Sequence, residues 1–75
     1  MRRYAIVIED AGTNLAAYVP DLPGCIATGA TLGETEDLIR SAIEIHLAGM
    51  REDGDDIPEP ATIAEMVSVT VPSAA

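Results

Sequence analysis

No phenylalanine, tryptophan or lysine occurs in these 75 residues, and there is a single cysteine and a single histidine. Without Phe or Trp, Tyr4 and Tyr18 are the only aromatic side chains, so the core has to be built from Ile, Val, Leu and Ala. Such a core is thin, and a chain of this size buries a modest share of its surface. Self-association covers apolar area that one copy leaves open, and a dimer, or a tetramer built of dimers, is predicted. The lack of Lys leaves Arg2, Arg3, Arg40 and Arg51 against thirteen Asp and Glu, a formal net charge of −9. A chain so acidic repels nucleic acid, whose counterions are displaced by Lys and Arg, so direct binding to DNA is not expected. A basic protein is the electrostatically complementary partner, although an acidic balance also serves solubility alone.

One cysteine cannot form an internal disulfide, and Cys25 fits a reducing compartment without metal-site spacing around it. No apolar run reaches membrane-spanning length. Arg2-Arg3 before Ala5-Ile6-Val7-Ile8 faintly imitates a signal peptide, but Glu9-Asp10 arrives too soon for its hydrophobic region. These features predict a cytoplasmic protein with no membrane association. The length allows one domain over residues 1–75, with a core of about 3–71 and a frayed tail over 72–75.

What the chain does have is backbone punctuation. Val19-Pro20-Asp21-Leu22-Pro23-Gly24-Cys25 holds two prolines three residues apart, which fix two φ angles and remove two N–H donors. Pro23-Gly24 suits the central positions of a type II turn. Gly54 suits a helix end, and Pro58 and Pro60 forbid continuation. Tyr4–Glu9 reads as a strand, apolar on both faces as a central strand is. Asp10–Asn14 reads as a turn, Leu15–Val19 as the returning strand, and Cys25–Gly29 as a third strand. Thr31-Leu32-Gly33-Glu34 matches a capping box and opens a helix running to about Asp53. Its apolar face is read as Thr35, Leu38, Ile39, Ala42, Ile43, Ile45, His46, Gly49 and Met50. Glu36, Asp37, Arg40, Glu44 and Arg51 lie opposite, with Glu36–Arg40 and Arg40–Glu44 spaced for ion pairs. Residues 61–65 are ambiguous between a helical turn and a loop. Met66–Val71 alternates, with Val67, Val69 and Val71 on one face, and reads as a half-buried fourth strand. The β-β-β-α-β order predicts an α+β two-layer sandwich, its fourth strand parallel to the first through a right-handed crossover.

This order, with these words in these places, resembles the HicB-like antitoxin family. The carrying residues are Tyr4–Glu9, Val19–Cys25, Ala27-Thr28-Gly29-Ala30-Thr31, Ala42–Leu47 and Gly54–Pro60. The resemblance implies a partial ribonuclease-H-like fold. It also implies the neutralising half of a type II toxin–antitoxin pair, whose toxin is a small basic ribonuclease of the HicA type. Many members carry a C-terminal helix-turn-helix or ribbon-helix-helix segment that binds operator DNA. No Lys or Arg follows Pro60 here, which puts that activity in doubt for this chain.

Candidate chemistry is sparse. Metal-dependent nuclease action needs convergent carboxylates, and the first strand offers Glu9 and Asp10 only at its end. Glu52–Asp56 imitates a calcium loop, but its Gly sits too early and Ile57-Pro58 interrupts the ligand series. His46 lacks a Ser, Cys or second His at a working spacing and is read as a packed histidine. Cys25 is read as a small buried hydrophobe, since no nearby cation lowers its pKa. The chain is thus expected to be no enzyme and to hold no cofactor. The expected partner contacts are the acidic turn Asp21-Leu22, the helix exit Asp53, Asp55 and Asp56, and Leu47, a leucine among charges. Tyr18 is a second candidate anchor, Tyr being favoured at interfaces. The competing readings are a stand-alone oligomeric binding module of the same fold with another protein or small-molecule partner, and a degenerate enzyme.

Overall fold

The computed structural model describes residues 1–73. Its elements are β1 (Val7–Asp10), β2 (Leu15–Tyr18), β3 (Ile26–Gly29) and α1 (Leu32–Glu52), an α+β arrangement with one helix on a three-stranded antiparallel sheet of order β1-β2-β3. The hairpin pairs Ile8 with Ala17, and β2 pairs Ala17 with Ala27, so these three residues form a row across the sheet. That row faces the helix: Ala17 is buried, and Ile8 and Ala27 pack on the core. The proline segment turns the chain from β2 to β3. Leu22 N–H donates to the Val19 carbonyl at 3.1 Å, and Cys25 N–H donates to the Leu22 carbonyl at 3.1 Å. Gly24 has φ 84°, as position three of a type II turn requires. The turn drops Val19, Leu22 and Cys25 into the core with Ala17 and Ile39.

Both helix ends carry the features expected of them. Thr31 is the N-cap, its hydroxyl accepting from Glu34 N–H at 3.2 Å. Glu34 reaches back one residue further than a capping box requires, accepting from Ala30 N–H at 3.3 Å. At the other end Gly54 N–H donates to the Arg51 carbonyl at 3.2 Å and Asp55 N–H to the Met50 carbonyl at 2.9 Å. These two bonds form a Schellman motif that satisfies the last carbonyls. The helix packs on β3 and β2. Its core side carries Thr35 and Ile39, both buried, with Ala42, Ile43, Leu47 and Met50 packed against the core.

Three expectations change. The core stripe of the helix is rotated towards Leu47, so Leu38 and Ile45 are exposed, at 42% and 74%. A wide apolar arc let the sequence centre its buried side one flank too far. Arg40 pairs with Asp37 at 3.1 Å rather than with Glu36 or Glu44. The largest change concerns the fourth strand. Among the described residues Met66–Val71 has no strand partner, and residues 59–73 are exposed throughout. β1, read as central, is therefore an edge strand, with Ile6, Val7 and Ile8 only half-buried.

Candidate functional site

The segment after the helix is fastened to one end of the sheet. Tyr4 Oη donates to the Pro58 carbonyl at 2.6 Å. The Arg2 guanidinium donates to the Ile57 carbonyl at 3.3 Å and pairs with Glu59 at 3.0 Å. Asp21 completes the fastening. Its Oδ2 accepts from Ala61 N–H at 2.9 Å and from Thr62 N–H at 3.1 Å, and its Oδ1 accepts from Thr62 Oγ1 at 2.8 Å. The Thr62 backbone N–H, then the Ala61 N–H and the Thr62 hydroxyl, hold the Asp21 carboxyl below its ordinary pKa, because each bond favours the charged form. Asp21 thus acts within the chain. Leu22, beside it, is 1% exposed. A side chain at the centre of the core cannot reach a partner, so Leu22 is a core residue and not a contact. Tyr4, Arg2 and Thr62 escaped the sequence reading because nothing local links positions 40 to 56 residues apart.

Asp53, Asp55 and Asp56 lie exposed at the helix exit, with Glu52 beside them. The Schellman turn brings them together on one projecting bend. Leu47 is half-buried and lines a groove of about 800 Å³ between the helix and the strand entering β1. Ile6, Ile39, Ile43 and Ile57 share that groove with it, while Glu36, Arg40, Glu44 and Arg51 also line it. Tyr18 is 41% exposed on the sheet face away from the helix, between its register partners Val7 and Ile26. Ile26, 69% exposed, extends this apolar row; once the hairpin register is known, alternation places it there.

Among the described residues no group of three or more His, Cys, Asp or Glu is placed to hold a metal ion, and no helix is long and apolar enough to cross a membrane. Cys25 is buried and burial pushes its thiol pKa up, which keeps it protonated and inert. His46 is half-buried on the helix.

The model of the HicB-like antitoxin family, antitoxins of bacterial toxin–antitoxin systems, matches residues 4–72. This chain belongs to that family. The match takes in the three strands, the helix and the segment after it. An uncharacterized 14.9 kDa protein in the rep-hol intergenic region of Haemophilus phage HP1 is 35% identical over 65 residues. That alignment covers 87% of this chain and 49% of the phage protein, so the chain spans about half the length of this curated relative.

Proposed function

We propose that this protein is an antitoxin that binds a small basic ribonuclease of the HicA type and blocks it sterically. The observation that carries the reading is the family match across residues 4–72. The charge supports it: a −9 chain complements a basic ribonuclease surface. Of the expected contact residues, Asp53, Asp55 and Asp56 stand exposed at the helix exit, where carboxylates can occupy the positions that RNA phosphates take on the toxin. The protein acts as a homo-oligomer in the cytoplasm, where a lone buried thiol stays reduced, and does not itself bind operator DNA.

The test is coexpression with a small basic ribonuclease of the HicA type, following growth and RNA integrity. Rescue of growth with intact RNA is the expected result. Arrest that persists when both proteins are made would overturn the reading.

A further inference from the structure

The positive side chains of this protein are gathered in one place. The groove between α1 and the strand entering β1 is lined by fourteen of the 75 residues, and they include Arg2, Arg3, Arg40 and Arg51, the whole complement of Arg and Lys. Only Glu36 and Glu44 oppose them there, so the lining side chains carry a net +2. Of the thirteen Asp and Glu, the other eleven lie outside the groove with no Arg or Lys among them. Solubility alone does not require such a division, because mixed charges spread over a surface serve it. Ion pairing within the chain does not absorb it either. Arg2 pairs with Glu59 and Arg40 with Asp37. Among the described residues no carboxylate lies within 4.0 Å of Arg3 or Arg51, which line the groove from the strand and from the helix.

Below the arginines the groove is aliphatic. Ile39, Ile43 and Leu47 follow one another at spacings of four along α1, and Ile6 and Ile57 share the floor with them. The groove follows α1 from Glu36 to Arg51, about 22 Å or four helical turns. Its strand wall is set before any occupant arrives. Arg2 and Tyr4 are bonded to the carbonyls of Ile57 and Pro58, and Thr62–Glu65 run beside Arg3–Ala5, lining a second cavity with them.

This shape suits a helix. A ridge of apolar side chains at spacings of four packs into the grooves of a second helix. An extended segment would find no backbone partner along α1, whose own bonds are internal, whereas a helix brings its backbone already paired. The charges then choose which helix. Arg2, Arg3 and Arg51 gather towards the helix exit, where Arg2 reaches Ile57, and they attract carboxylates.

We propose that this groove docks an acidic amphipathic helix of a second protein, its apolar stripe on Ile39, Ile43 and Leu47 and its carboxylates on Arg3 and Arg51. Its charge is opposite to that of a basic ribonuclease, so this partner is distinct from the toxin. The proposal stands on other residues than the acidic helix exit and does not rest on the antitoxin reading.

Two synthetic peptides of about four turns test this against the full chain. Both carry leucines at helical spacing; one is flanked by glutamates, and its twin has lysines in their places. The Glu peptide should bind saturably, more weakly as salt rises, and should shift the amide signals of Ile39, Ile43 and Leu47. The Lys twin should bind at least tenfold more weakly. Arg3→Glu with Arg51→Glu alters two exposed residues and should lower the affinity for the Glu peptide at least tenfold with the far-ultraviolet spectrum unchanged. Arg3→Glu alone, outside every helix and strand, should also weaken binding and keeps the comparison if the helix end frays. Binding of neither peptide, equal binding of both, or an unchanged affinity in both variants would overturn the proposal. Groove amide shifts that follow protein concentration with no peptide present would also overturn it, by making a second copy the occupant.

Discussion

Asp21 and Thr62 are joined twice, once through the Thr62 backbone N–H and once through its hydroxyl. The pair links the proline turn at the end of β2 to the segment that follows the helix, forty-one residues later. Its bonds hold the Asp21 pKa down, which sets the sign of its pH dependence. A carboxyl lowered in the folded state stabilises the fastening above its unfolded pKa, about 3.9, and loses that contribution as pH falls through the lowered folded value. The Ala61 and Thr62 amides should therefore be protected from hydrogen exchange at neutral pH and lose protection only in acid, below the ordinary carboxylate range. Asp21→Asn should remove that acid transition. An amide protection profile flat with pH in the wild type would show that Asp21 is not the clamp.

Leu22 separates a packing role from a contact role. As a side chain 1% exposed among Val19, Cys25 and Ile39, it leaves a cavity when truncated. Leu22→Ala should cost about 2–5 kcal/mol of stability, read as a lower denaturant midpoint. A midpoint equal to wild type would place Leu22 outside the core.

Gly29 is fixed by close approach. A Cβ built there would lie 2.5 Å from Thr35 Oγ1 and 2.9 Å from the Thr35 backbone nitrogen. Thr35 cannot yield, being fully buried with its hydroxyl donating to the Thr31 carbonyl at 2.7 Å. Gly29→Ala should therefore push α1 off β3 and destabilise by about 1–3 kcal/mol. Thermal unfolding compares it with Gly33→Ala, where a Cβ meets nothing within 4 Å and stability should hold or rise.

Much of the fold was legible because its signals are local. Pro23-Gly24 sets a turn, Thr31 and Glu34 cap a helix start, and Gly54 with two later prolines ends it; each acts over a few residues. The sheet order followed from strand adjacency. What escaped lies at long range. The Asp21–Thr62 clamp spans the chain, and no periodicity announces it, so Asp21 read as a free acidic contact. The alternation of Val67, Val69 and Val71 reads as a half-buried strand, but residues 66–71 form no strand here and stand exposed, because alternation carries no information on whether a partner strand is within reach. Leu47 looked exposed because the wide apolar arc of the helix had been centred near Ile45, on the flank that solvent covers.

The acidic exit yields a prediction about binding. Asp53, Asp55 and Asp56 are exposed, so reversing all three to Lys should leave the far-ultraviolet spectrum unchanged; surface substitutions of this kind usually move stability by no more than about 0.5 kcal/mol each. The reversed protein should bind the ribonuclease more weakly. Wild-type association should slow as salt rises, since screening limits steering to about 8 Å at physiological ionic strength. Equal affinity for wild type and reversed protein would remove the helix exit from the interface.

The most direct test of the antitoxin reading is a titration of RNA cleavage. The purified small basic ribonuclease is held at fixed concentration and this protein is added in steps. Cleavage should fall to nothing near a stoichiometric ratio, with a stable complex forming at the same point, and this protein alone should leave the RNA intact. Undiminished cleavage at a large excess of this protein, or cleavage by this protein on its own, would contradict it.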